Sequence, residues 1–404
     1  MNEITPFRGY RFDAVAAGDL NMTVAPPWDV ITDARQKELE ESGPFNIIHL
    51  MARDRDPETV RKLFESWRHN GVVRREASPG FYPVRHAFEW RGETCERTGF
   101  FALVRLKDFA EGAIIPHEVI FEKYRDNRYL LTAACRANFE PVFMLYRDPS
   151  GVVEKELARV ERPLFSGTMG RDTFSLGIAD DPETAKKVTD FFAGEKLFIA
   201  DGHHRYQAGL RFFKEHPADV NSRILVYLVN LSSPGLMILP THRYVATARN
   251  NESTETALRK VFDVTPAGSA DDLFSLMAAG TSHCFGVYDG VRYLLLTLKR
   301  EEEVFRSIGG SDSRNLKLLD VVILHRFIFP GIFGLGEEKF FFDADPDHLI
   351  RTRDAEGKGI VFFLNPVRKE EFTAITLQRE IMPQKSTYFY PKVPSGLLIH
   401  RFSE

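Results

Sequence analysis

Apolar and polar positions along this chain follow two periods, and the switch between them at residue 201 organises the rest. Leu197 to Ala200 form an apolar run that stops at Asp201-Gly202. Beyond it Tyr206, Leu210 and Phe213 recur at i, i+4 and i+7, while Gln207, Arg211 and Lys214 fall on other faces. The pattern predicts a short buried strand, a tight turn, and a helix of about three turns reaching His216, with Pro217 as the stop.

The same reading places the other elements. Residues 23–25 read as a short strand entering Pro26-Pro27-Trp28-Asp29, where two prolines predict a rigid extended turn rather than a helix. Residues 46–51 read as a strand, and Asp56-Pro57 opens a helix with Val60, Leu63, Phe64 and Trp67 on one face. Residues 80–90 and 98–106 alternate as an antiparallel pair. Ile114-Ile115 runs into Pro116-His117-Glu118, and a helix carrying Leu130, Leu131 and Ala134 follows. Strands over 141–146, 224–230 and 237–239 and a helix over 182–192 complete this part. Farther on come helices over 255–261, 271–279 and 320–329 and one opened by Asp345-Pro346, with strands over 284–288, 292–298, 340–343 and 360–364. This mixture predicts an α+β fold with mixed sheets. The turn at Asp148-Pro149-Ser150-Gly151 and the polar stretch 250–255 mark the expected boundaries of three regions, 1–150, 151–249 and 250–404.

Composition narrows the function classes. A length of 404 residues accommodates two or three domains, and 43% apolar with 27% charged residues is ordinary for a globular protein. A formal charge of −4 and a pI near 6.3 lack the basic surplus of a general nucleic-acid binder. Three scattered cysteines form no C-x-x-C pair and no disulfide framework, which points to a reducing, cytoplasmic setting. The N-terminus has no apolar signal region, and no apolar run approaches the ~20 residues of a membrane helix. No G-x-x-x-x-G-K-[ST], G-x-G-x-x-G or G-x-S-x-G motif is present.

The candidate chemistry sits at the turn. The first amides of a helix lack internal partners and lie at the positive end of its dipole, so they attract anions. Gly202 lets a phosphate approach the backbone, and His203, His204 and Arg205 add donors and charge. Asp201 can cap the helix, hold a ribose hydroxyl, orient a histidine or help bind Mg²⁺ through water. An N-cap beside two incidental histidines is the plainer reading, but the cluster is denser than capping requires. At Pro116-His117-Glu118, Phe121 stands where a zincin would have its second histidine, so Glu118 is instead a candidate general base with His117 orienting it. A surface ion pair is the alternative. Asp29 and Arg128 are candidates for positioning substrate. His242-Arg243, read as following a strand, suits a second phosphate or a carboxylate, with surface electrostatics as the alternative. Lys385, Ser386, Thr387 and Lys392 in the tail are further candidates for donating to phosphate oxygens, and the aromatic residues among them suit anchoring on the core.

Two resemblances attach to these residues. Ala200-Asp201-Gly202-His203-His204-Arg205-Tyr206 resembles the phosphate-binding box of the ParB/sulfiredoxin superfamily. The chain as a whole resembles the uncharacterised prokaryotic family DUF1015, through residues 25–31, 116–118, 126–128, 200–206, 239–243 and 382–392. Trp28 stands where that family usually has Tyr, and residues 119–121 are more apolar than usual. The superfamily resemblance implies a strand–turn–helix core followed by a C-terminal α+β domain. It also implies ATP, ADP or CTP as ligand, Mg²⁺ as a candidate ion, and phosphotransfer to a small hydroxyl metabolite such as free serine. A non-catalytic nucleotide-binding module and a phosphohydrolase or nuclease are the alternatives.

Overall fold

Apolar strands of the first part of the chain assemble edge to edge because each supplies a face that only a neighbour or a helix can cover. The computed structural model describes residues 2–52, 54–118, 125–280, 282–336 and 340–402, and of Arg125 and Asp126 only the backbone. The sequence features at Val119–Phe121, Lys123 and the Asp126 side chain therefore lie outside the described residues. The chain folds as two units. The first holds Met1–Pro116, Ile120–Met237 and Pro391–Glu404; the second holds His117–Val119 and Ile238–Tyr390.

In the first unit we label β1 (Ile4–Thr5), α1 (Pro57–His69), β2 (Tyr82–Trp90), β3 (Glu93–Arg105), β4 (Ile114–Ile115), α2 (Arg125–Cys135) and β5 (Val142–Tyr146). Then come α3 (Val152–Val160), β6 (Arg162–Met169), β7 (Asp172–Ile178), α4 (Pro182–Phe192), β8 (Leu197–Asp201), α5 (His203–Glu215) and β9 (Arg223–Asn230). Among the described residues these strands form a nine-stranded sheet in the order β4-β8-β5-β9-β3-β2-β7-β6, with β1 also on β3. Pairings β8/β4 and β9/β5 are parallel and the others antiparallel, so the sheet is mixed as expected. Val142, Met144, Leu197, Ile199, Val226 and Leu228 share one core with Val188 and Phe192 of α4 and Tyr206 of α5. That core packs the β8 strand and the first turn of α5 on either side of the junction.

The second unit contains β10 (His242–Val245), α6 (Glu252–Val261), β11 (Phe262–Ala267), α7 (Ala270–Ala279), β12 (Cys284–Tyr288) and β13 (Tyr293–Leu298). They are followed by α8 (Asp320–Ile323), which runs into a π-helix at Leu324–Phe333, β14 (Phe341–Asp343), α9 (Pro346–Glu356), β15 (Ile360–Leu364) and α10 (Lys369–Leu377). Its sheet is antiparallel, in the order β11-β13-β12-β15-β10-β14.

Several expectations change. Residues 48–51 are a helical turn, not a strand. The Asn46 side chain accepts from Ile48 N at 3.0 Å and donates to Met22 O and Val24 O at 2.9 and 3.0 Å, winding the chain into a turn. Residues 23–25 contribute a single bridge, Ala25 with Ser395, and Trp28–Val30 form a 3₁₀ turn directly after the prolines. The expected three regions do not coincide with the two units. A cut at 150 separates β5 from its sheet neighbours β8 and β9, and β10 pairs with β15, joining 242–245 to the C-terminal region. Among the described residues no helix is long and apolar enough to cross a membrane.

Candidate functional site: the Asp201–Arg205 turn and its ion network

The turn at 201–205 has the expected course. Asp201 is the last residue of β8, Gly202 takes a left-handed conformation (φ 88°, ψ 27°) as the N-cap, and α5 begins at His203. Gly202 is required by its backbone conformation, and a Cβ would in addition displace a neighbouring guanidinium. Its φ strains any residue with a Cβ, and a Cβ there would sit 2.9 Å from Arg205 Nε and 3.0 Å from its Cζ. The Arg205 guanidinium thus lies against the turn. Its Nη2 donates to Asp201 Oδ2 at 2.9 Å and its Nη1 to the Pro141 carbonyl. Asp201 is therefore not the N-cap of α5 but the partner of the arginine one turn on. His203 is buried and His204 half-buried.

Lys392 completes the cluster from the tail. Its Nζ lies 3.2 Å from Asp201 Oδ1 and 3.6 Å from Asp29 Oδ2. Beside it, Glu140 binds Arg128 (Nη1–Oε2, 3.1 Å) and accepts from Trp28 N at 3.0 Å, while the Arg128 guanidinium stacks 4.2 Å over the Trp28 ring. Three acids (Asp29, Glu140, Asp201) thus face three bases (Arg128, Arg205, Lys392) within the first unit. Burial by itself would raise the Asp201 carboxyl, but Lys392, Arg205 and His203 outweigh it and hold the group well below the usual carboxylate range. Burial opposes the charge on Arg205, yet Glu140, Asp201 and Asp29 keep its pKa above the ordinary value. Asp201 so ionised is a poor proton acceptor; what it can do is hold two cations in place.

The remaining candidates belong to the second unit. His117, 1% exposed, is not a surface residue; its Nε2 lies 2.8 Å from Thr387 Oγ1 and its ring packs edge-on against Phe372 and Phe389. Glu118 forms a parallel bridge with Met382, whose N–H donates to His117 O at 2.8 Å. His242 and Arg243 lie within β10 rather than after a strand, and both are buried, which removes the surface-electrostatic alternative. Arg243 donates to His325 Nε2 (3.2 Å), Lys385 O (2.8 Å) and Thr241 O, and its guanidinium packs over Phe342. Burial pushes Arg243 down to about 9, and burial with the neighbouring Arg243 pushes His242 and His325 down to about 3. The Arg243 guanidinium thus donates to groups of the second unit, and His325 accepts from it. Lys385 is exposed with a left-handed backbone (φ 56°), and Ser386 is buried and donates to Pro383 O at 2.5 Å. Of the tail motif, Lys392 is the residue that joins the box. Among the described residues no three His, Cys, Asp or Glu side chains gather as a metal cluster.

Glu140 and Arg97 were not singled out from the sequence. Glu140 had one usable signal, a lone acid between Phe139 and the proline that opens an apolar strand. Arg97 had another, since it shares parity with Gly99 and Phe101 in an alternating strand.

The site is thus an ion network at a glycine-initiated helix in a mixed-sheet α+β protein. The family model described as "Protein of unknown function (DUF1015)" matches residues 4–322, and the chain belongs to this family. The match ends before the 385–392 motif. No curated protein matches the chain. Among solved structures it is similar to a free serine kinase in complex with AMP, with 14% identity over 72% of this chain and 86% of that one, at a TM-score of 0.36. It is also similar to SbnI with C-terminal truncation from Staphylococcus aureus (10% identity, 74% and 86% coverage, TM-score 0.38). A conserved hypothetical protein from Pyrococcus furiosus shows a comparable likeness (13% identity, 73% and 93% coverage, TM-score 0.36). All three are distant likenesses.

Proposed function

We propose that the Asp201–Arg205 turn is a nucleotide-phosphate site resembling the ParB/sulfiredoxin box, and that the protein is a cytoplasmic phosphotransferase acting on a small hydroxyl metabolite such as free serine. The supporting observation is the start of α5, where the N-cap is a left-handed glycine and Arg205 and Lys392 stand beside the turn. A helix N-terminus with two adjacent cations suits phosphate oxygens. Without ligand those cations are neutralised by Asp201 and Asp29, so an entering phosphate competes with carboxylates for them. ATP or ADP is the nucleotide proposed, with CTP as the alternative. Mg²⁺ would offset the repulsion between the phosphates and Asp29 and Asp201. Phosphoryl transfer depends on positioning and charge stabilisation more than on covalent chemistry.

Glu118 is proposed separately as the base toward the accepting hydroxyl. Glu118→Gln then lowers kcat by about 10²-fold or more with KM little changed. Incubating the protein with ATP or ADP, Mg²⁺ and serine and following phosphoserine by ³¹P NMR tests the reaction. The second reading, nucleotide binding without turnover, is favoured by the strongly held Asp201, which anchors cations rather than moving protons. Saturable binding with no phosphoserine would establish it.

A further inference from the structure

A largely buried polar chain in the first unit runs from Asp172 through His86 and Arg97 to Pro391, the residue before Lys392. His86 on β2 and Arg97 on β3 are direct cross-strand partners, and they are 1% and 0% exposed. Asp172 on β7 lies 2.8 Å from His86 Nε2. Burial lowers the His86 pKa and favours the neutral ring, so with Nε2 as the donor to Asp172, Nδ1 is left as an acceptor. Arg97 Nη2 points at that Nδ1 at 3.5 Å. The other arm of the guanidinium, Nη1, donates to the carbonyl of Pro391, the residue before Lys392. Phe143 and Tyr227 lie under the guanidinium, with ring centroids at 5.1 and 5.5 Å. Burying a guanidinium is costly unless its donors are engaged, and Phe or Met would fill this space without that cost. What the arginine supplies is a fixed donor to one carbonyl of the tail, at the residue that sets the direction of Lys392.

We propose that Arg97, oriented by His86 and Asp172, is a positioning residue that clamps the tail at Pro391 and so delivers the Lys392 ammonium between Asp29 and Asp201. The inference rests on the reading of Lys392 as part of the phosphate site, but its structural claim stands apart from any ligand. The clamp has two arms. Lysine in place of Arg97 keeps the charge but cannot reach His86 and Pro391 together, since its single ammonium lacks the fork.

The test reads Asp201 directly. Carboxyl ¹³C NMR on protein labelled at aspartate, with the Asp201 resonance assigned by its loss in Asp201→Asn, follows that group through an acid titration. In the wild type Asp201 remains ionised well below the range of ordinary aspartates. In Arg97→Met, Lys392 is released and the Asp201 midpoint rises by about one pH unit or more, the size expected when a close opposite charge is lost. Arg97→Lys shows a smaller rise, and decides the question should the methionine variant not fold. A role confined to stability would lower Tm and leave the Asp201 midpoint unchanged; that result in a folded variant overturns the inference. Nucleotide titration of the wild type separates the two claims. If the wild type binds no nucleotide while Asp201 shifts in Arg97→Met, the clamp stands and the phosphate reading falls.

Discussion

Gly202 carries the tightest demand on a single residue. Gly202→Ala puts a Cβ on a φ of 88° and against the Arg205 guanidinium. The expected cost is about 1–3 kcal/mol of unfolding free energy in urea, because both the backbone and the arginine must give. An unchanged midpoint would mean that the turn is not held as described. Arg205→Ala also leaves the Pro141 carbonyl without this donor and Asp201 with Lys392 as its remaining cation among the pairs described above, so a modest loss of stability accompanies any loss of ligand. The box itself was legible in the sequence because strand, glycine, cations and helix are contiguous. Its partners were not. Lys392 and Glu140 reach the box from far along the chain, and pattern reading within a window cannot bring such residues together. The Asp201–Arg205 pair was not readable from helical spacing either, because Asp201 ends β8 and only Arg205 lies in α5, with the left-handed turn at Gly202 bringing them together.

At the scale of elements, the legible ones announce their own ends. Asp56, Asp181 and Asp345 each precede a proline, and each caps its helix by accepting from a backbone N–H of the first turn. Elements stabilised by distant bonds were misread. Residues 46–51 carry an apolar run that fits a strand, but buried Asn46 ties three backbone groups and imposes a helical turn. Asn46→Ala is expected to cost about 1–3 kcal/mol, with chemical denaturation as the check, since Met22 O and Val24 O lose their donor. A cost near zero would move the cause of the turn elsewhere. The β6–β7 hairpin escaped notice because β6 is largely solvent-facing and shows no clean alternation. The π-helix at Leu324–Phe333 continues the expected helix past Phe329 through Pro330, which a helix-stop rule would have made its end.

Across the whole molecule, buried histidines set the response to acid. Burial, aided by nearby arginines, pushes His242, His325 and His400 down to about 3. In the unfolded chain they titrate near 6.5. The unfolded state therefore binds more protons below pH 6.5, and stability falls from there toward pH 3, with a slope of at most about 1.4 kcal/mol per pH unit for each histidine. His283, raised by its hydrogen bond to Asp320, works in the opposite sense and loses its contribution as pH rises through its folded value. Urea unfolding at pH 7, 6, 5 and 4 should show a steady loss, and His325→Gln should flatten it. A profile that is level down to pH 4 would contradict the burial of these rings. The α+β class and the mixed sheet were readable from element order, whereas the division into units was not, because β-sheet partners come from distant parts of the chain and a polar stretch need not be a boundary.

The phosphate site is tested most directly by isothermal titration of ATP, ADP and CTP, with and without Mg²⁺, into the wild-type protein and Arg205→Ala. At least one nucleotide is expected to bind the wild type saturably, and to bind at least about tenfold more weakly to a variant that still melts cooperatively, as follows from losing one charged hydrogen bond. Equal affinity in the folded variant, or no binding of any of the three to the wild type, would contradict the phosphate site.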